Sequence, residues 1–177
     1  MSISEKLYLY EALELRAEYD ARIKTVKECL PESRKNRDRF SFSSEKEYTL
    51  QPSPEFDVKK TRKELQKLDI KRRKLNAAIQ KTNFENHIKY KNESITLNEA
   101  LEVRKRLNEE IGELHSQTVN AAYQKVIYKE DRDIIEKNEV SYEESVKNLN
   151  SARLDFRKIN RAIRKASYKI QVDFIDE

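Results

Sequence analysis

Arginines set among apolar residues at helical spacing are the first groups in this 177-residue chain that could do chemistry. Arg16 stands in a stripe made by Leu9, Ala12, Leu13, Tyr19, Ile23 and Val26. Arg104 stands in a matching stripe of Leu97, Ala100, Leu101, Leu107, Ile111, Leu114 and Thr118, and Arg72 in one of Val58, Thr61, Leu65, Leu68, Leu75, Ile79 and Thr82. A guanidinium withdrawn from water needs a partner, because leaving it uncompensated costs about 3–5 kcal/mol. Two kinds of partner answer that need. A carboxylate or carbonyl on a neighbouring helix would make each arginine a contact that sets register, its stem covered and its head reaching water. A phosphate or carboxylate ligand would instead make Arg16 and Arg104 a pseudo-symmetric anion site. Glu11 and Glu99 precede these arginines by five residues, about 140° around a helix, so a carboxylate partner must come from another helix. Asp69 is near the right level if the first two helices are antiparallel.

A second chemistry is purely electrostatic. From Val58 to Lys81 there are ten Lys or Arg against Glu64 and Asp69, and from Lys147 to Lys169 eight against Asp155. Such density could track a phosphate backbone, with Lys71, Arg72, Arg73 and Lys74 at the centre of the first stretch and Arg161, Arg164 and Lys165 in the second. No aromatic residue interleaves the first stretch for base stacking. Glu5 to Glu28 carries six acids against five bases, and Glu130 to Glu144 seven against two. Basic helices beside acidic ones are also what interhelical salt bridges produce.

Catalytic and metal signals are weak. His87 and His115 lie in no HxxxH or HExxH spacing, and Glu109, Glu110 and Glu113 with His115 lack the Glu-x-x-His step of a di-metal bundle site. No Ser, Thr or Cys sits in a nucleophile motif. The single glycine is hard to reconcile with Rossmann or P-loop sites, whose backbones need several to approach phosphates. We expect no enzyme and no cofactor. Cys29 is the lone cysteine, as suits a reducing compartment, and no window approaches 18 apolar residues. With no basic and apolar leader at the start, a cytoplasmic protein away from membranes is expected.

The elements that must position these residues are helices, and the chain contains them twice. Leu9-Tyr10-Glu11-Ala12-Leu13-Glu14-Leu15-Arg16 returns as Leu97-Asn98-Glu99-Ala100-Leu101-Glu102-Val103-Arg104, an offset of 88. Leu75-Asn76-Ala77-Ala78-Ile79 returns at an offset of 84 as Ile159-Asn160-Arg161-Ala162-Ile163. The stripe Tyr142, Ser145, Leu149, Ala152, Phe156, Ile159, Ile163 and Ala166 completes a set of four segments of helical period. The residues 31–56 hold all three prolines and read as an exposed loop, with a short extended piece at Glu47–Leu50. His87–Lys91 and Tyr168–Phe174 alternate apolar and polar residues after helices 2 and 4; a symmetric arrangement would let these two segments pair as short strands. Ser4, and Thr96 with Glu99, are N-cap signals. The polar Asn76 and Asn160 flank the seams, where a buried Asn fixes register.

Three blocks carry a resemblance. Glu11-Ala12-Leu13-x-Leu15-Arg16-Ala17-Glu18 with Arg22-Ile23, then Ile79-Gln80-x-Thr82-Asn83, then Thr96-Leu97-x-Glu99-Ala100-Leu101-x-x-Arg104 with Leu107 and Ile111, resemble a family of small bacterial helical proteins of unknown function, some labelled septicolysin. The chain departs from that pattern at Asn92-Glu93-Ser94, where the family commonly has Asp-Gly; at Lys105, where an acid is usual; and at Phe84 and Tyr168, where Trp is usual. The resemblance implies an all-helical fold and transfers no activity. The secreted cytolysin that the label suggests finds no support in a chain without an export signal or a membrane-inserting stretch.

The sequence therefore predicts an all-α fold over a single domain, 1–177: an elongated four-helix bundle of two tandem αα-hairpin repeats, 1–88 and 92–177, with helices at 5–29, 56–83, 96–127 and 140–167. Narrow seams in a charge-rich chain are commonly completed by other subunits, so a homo-oligomer is expected, most simply on two-fold axes. The expected function is a non-catalytic scaffold or binding protein recognising a protein partner or a small anion at Arg16 and Arg104. The alternative is a nucleic-acid-associated protein using the basic faces of helices 2 and 4.

Overall fold

The computed structural model describes residues 6–32, 51–128, 132 and 134–176. Among them are four long helices: α1 (Leu9–Cys29), α2 (Val58–Glu85), α3 (Leu97–Ala121) and α4 (Tyr142–Ser167). Two antiparallel strand pairs accompany them, β1 (His87–Tyr90) with β2 (Glu93–Thr96), and β3 (Lys125–Ile127) with β4 (Ile134–Glu136). The fold is thus dominated by helix, as the periodicity predicts. The extended piece expected at 47–50 and the cap at Ser4 lie outside the described residues.

The chain divides into two compact units that do not follow its order. One joins the chain up to Thr82 with the segment from Lys169 onward, and the other is Asn83–Tyr168. In the first unit α1 buries Leu9, Ala12, Tyr19 and Ile23, and α2 buries Leu68, Leu75, Ile79 and Thr82, each set three, four or seven residues apart and so on one face. Polar bridges set their direction. Arg16 Nη1 donates to Asn76 Oδ1 at 3.4 Å, Arg72 Nε lies 2.9 Å from Asp20 Oδ1, and Arg62 pairs with Glu32. Later residues of α1 meet earlier residues of α2, so the two helices are antiparallel. Asn76, not Asp69, is the partner that Arg16 finds. Asp57 opens α2 by accepting the N–H groups of Lys59 and Lys60 at 2.9 and 3.0 Å.

Helix α1 begins at Leu9 rather than at residue 5, because the backbone before it is spent elsewhere. Leu9 N–H donates to the Ile170 carbonyl and Val172 N–H to the Leu7 carbonyl, both at 2.8 Å, with Tyr8 bridged to Gln171. Val172 is fully buried. The last turn of this clasp is polar: the Tyr19 hydroxyl donates to Asp176 Oδ1, and Lys71 Nζ lies 3.1 Å from the same oxygen.

In the second unit, β1 turns into β2 through Lys91 and Asn92, with Tyr90 opposite Glu93 and His87 opposite Thr96. The expected pairing of 87–91 with 168–174 is not what forms. A two-residue turn makes β2 the nearest strand for β1, whereas the segment after α4 pairs with Leu7–Leu9. Leu97 N–H donates to the Asn86 carbonyl at 2.9 Å; this bond and that of Leu9 with Ile170 stand at the offsets of 88 and 84 found in the sequence. The turn is made without a glycine. Lys91 takes φ 54°, a left-handed conformation that costs about 1–2 kcal/mol for a residue with a Cβ. Its ammonium is 3.0 Å from Asp155 Oδ2 on α4 and 5.5 Å from the Tyr90 ring centre.

Thr96 and Glu99 form the expected capping box on α3: Thr96 Oγ1 accepts Glu99 N–H at 3.1 Å, and Glu99 Oε2 accepts Thr96 N–H at 2.7 Å. Helix α3 stops at Ala121 instead of running to 127. There Asn138 Nδ2 donates to the carbonyls of Asn120, Ala121 and Tyr123, satisfying acceptors that a longer helix would have bonded itself, and β3 takes up residues 125–127. Ser141 caps α4 through Glu144 N–H at 3.2 Å. Helices α3 and α4 pack together, and α4 also carries β1.

Candidate functional site

The exposed faces of the helices hold the charge that the sequence singled out. On α4, Arg153, Arg157, Arg161 and Arg164 are spaced by four, four and three residues, so at 3.6 residues per turn they lie in one row about 16 Å long. All four are exposed, and among the described residues none of their side chains has a hydrogen bond or ion pair. Leu154, 48% exposed, precedes Arg157 and Arg161 by three and seven residues and so stands beside them. Lys165 is exposed and, with Arg164, occupies the last turn, where cations complement the helix dipole.

The four-residue basic run of α2 is split by its own helix. Lys71 and Arg72 are half-buried and engaged with Asp176 and Asp20, whereas Arg73 and Lys74 are exposed. Successive residues differ by about 100° around a helix, so four consecutive bases cannot share a face. Arg16 and Arg104 are both half-buried. Arg16 lies in the first unit with its bond to Asn76, and Arg104 in the second with no hydrogen bond or ion pair among the described residues.

Arg153 and Arg157 were not singled out by sequence reading, although their spacing with Arg161 and Arg164 is written in the chain. The Ser141-x-x-Glu144 cap could likewise have been found from its pattern. Asp57, directly before Val58, could have been read from the same kind of local pattern, whereas Asn138 had no comparable signal, because it closes a helix from 17 residues away.

Acidic and apolar groups gather at the other end of α4. Glu139, Glu143 and Glu144 are exposed around its start. Before them, the β3–β4 hairpin opposes Val126 to Ile135, exposed by 38% and 55%, and Tyr123 and Tyr128 are exposed by 76% and 80%. Lys125 and Glu136 pair across the same two strands at 3.0 Å.

Titration is perturbed at structural contacts. Asp155 is held below the usual carboxylate range, chiefly by the hydrogen bond from Lys91, against the opposing effect of burial. Burial pushes Asp176 up, but the hydrogen bonds from Tyr19 and Lys71 and the Lys71 charge outweigh it and hold that carboxyl low. Tyr19 is raised well above an ordinary phenol by burial first and by its bond to Asp176 second. Among the described residues no three His, Cys, Asp or Glu side chains gather as metal ligands would.

Fold and surface together define a helix-dominated protein with charged helix faces and, among the described residues, no helix long and apolar enough to cross a membrane. Residues 1–88 match the model of a family of unknown function (DUF6847). The chain is also similar to the crystal structure of a functionally unknown conserved protein from Corynebacterium diphtheriae, with 19% identity over 96% of this chain and 100% of that one and a TM-score of 0.68. No curated protein matches. The resemblance to a helical family of unknown function is therefore observed, and neither comparison supports the septicolysin label.

Proposed function

We propose that this chain is a non-catalytic binding or scaffold protein of the cytoplasm that engages an acidic protein surface through the exposed arginine row of α4. One observation carries the reading: four arginines at helical neighbour spacing without a carboxylate among the described residues. Like charges at such spacings destabilise a helix by about 0.2–0.5 kcal/mol per pair. A row of four is thus a standing cost that a partner's carboxylates would turn into a gain. Arg16, tied to Asn76, fits a register contact better than an anion site, whereas Arg104 keeps its donors available for a small anion. The single domain, the bundle of two repeats and the homo-oligomer expected from the sequence belong to this same proposal, and the recurring bond at Leu9 and Leu97 supports the repeat.

Nucleic acid is the second reading, and the same row favours it, since about 16 Å of guanidinium could follow successive phosphates. Anisotropy titrations of a labelled polyglutamate peptide and of duplex and single-stranded DNA, in rising salt, decide between them. The proposal expects peptide binding that weakens with salt and disappears in Arg157→Glu/Arg161→Glu. Binding of neither probe at low salt, at protein concentrations where sedimentation shows a monomer, refutes both readings, and DNA affinity tenfold above that of the peptide replaces the first with the second.

A further inference from the structure

We infer that the α4 arginine row is covered by a second copy of this chain, which presents its β3–β4 hairpin and the acidic start of its own α4. The inference rests on the reading of that row as a binding surface and names its occupant. The argument begins with separation. Glu143 lies fourteen and eighteen residues before Arg157 and Arg161, about 21 and 27 Å along one helix, so the acids and the arginines of one α4 cannot pair with each other. Laid antiparallel against a second α4 about an axis near residue 151, each acidic start faces the arginine row of the other helix.

Exposed apolar groups accompany both the acidic end and the basic row. A two-stranded hairpin is marginal in water, yet β3–β4 leaves the cross-strand pair Val126 and Ile135 exposed, with Tyr128 exposed just beyond Val126. Leu154 is the exposed apolar side chain beside the arginines. Each copy thus carries an acidic, apolar end and a basic row that also holds one apolar side chain. Both lie within Asn83–Tyr168, so a single two-fold axis makes the contact twice and closes the dimer without leaving a free end to polymerise. Antiparallel α4 helices also oppose their macrodipoles.

The test is a charge swap read by sedimentation velocity at tens of micromolar in low salt. The wild type is expected to be a dimer that dissociates as salt rises. Arg157→Glu/Arg161→Glu sets acid against acid and Glu139→Lys/Glu143→Lys sets base against base, so each alone should be monomeric. Their equimolar mixture should recover the dimer, because both contacts are then complementary. That recovery also shows that both variants are folded. A monomeric wild type, wild-type dimerisation of either variant, or a mixture that stays monomeric overturns the inference. Glu139→Lys/Glu143→Lys keeps the arginine row, so its binding of polyglutamate reports on the row separately: binding by a monomeric wild type and by this variant leaves the binding surface standing and removes only the second copy as its occupant.

Discussion

Replacing Asp176 with Ala should loosen the first unit by about 2–3 kcal/mol. The Tyr19 side chain is buried at 1% exposure, and its hydroxyl donates to the Asp176 carboxylate that Lys71 also approaches at 3.1 Å. A hydrogen bond to a charged group contributes about 1.5–3 kcal/mol, and its loss strands a buried hydroxyl. The Lys71 pair, with both side chains about two-fifths exposed, adds less than about 1 kcal/mol. Asp176→Asn keeps an acceptor for Tyr19 and should cost about 1 kcal/mol or less, because it removes only the charge. Tyr19→Phe combined with Asp176→Ala should cost less than the two single losses together by about 1–2 kcal/mol, since no hydroxyl is then stranded. Urea unfolding followed by far-UV circular dichroism measures each term, with amide exchange along α1 as the local readout. An Asp176→Ala cost below about 0.5 kcal/mol, or strict additivity in the double variant, would refute the clasp as the device that ties the C-terminal segment to α1 and α2. The pH dependence follows from the same contact. Asp176 titrates below its unfolded value, so its stabilisation is complete above about pH 3.9 and is lost as the pH falls through the folded value. Tyr19 titrates above its unfolded value, so its share is complete below about pH 10 and is lost as the pH rises past the folded one.

The Ser145 hydroxyl is fully buried and finds no partner among the described residues, so Ser145→Ala should raise stability by about 1 kcal/mol, read from the urea midpoint. Lys91→Gly relieves the left-handed strain of the β1–β2 turn but breaks its pair with Asp155. Because that carboxyl is held low in the folded state, the variant should be at its least favourable relative to wild type near neutral pH, and the difference should shift toward the variant as acid protonates Asp155, as a melting series from pH 7 to 3 would show. Thr96→Ala removes the side-chain half of the α3 capping box and should cost about 1 kcal/mol, measured by thermal melting.

Much of the fold was legible because helix formation is governed by neighbours three and four residues away. The buried sets Leu9, Ala12, Tyr19, Ile23 and Leu68, Leu75, Ile79, Thr82 are the apolar stripes of the sequence, and the Thr96–Glu99 box is complete within four residues. The candidate surface was half legible. Arg161, Arg164 and Lys165 emerged from charge density, but density along the chain does not say which bases are engaged, and so it grouped Lys71 and Arg72 with Arg73 and Lys74. Helix ends were less legible, because α3 stops where Asn138 reaches back to its last carbonyls.

The amino-acid sequence alone determined the helical class and the seams, since each is written in local spacing. Tertiary structure decided which backbone segments pair and which charges are spent. Tyr19 reaches Asp176 across 157 residues and Lys71 reaches it across 105, and no local period encodes a contact at that separation. The same holds for the two extended segments: their alternation marks both as strand-forming, but the two-residue turn at Lys91 and Asn92 closes β1 on β2, which leaves residues 170–172 to bind the backbone ahead of α1.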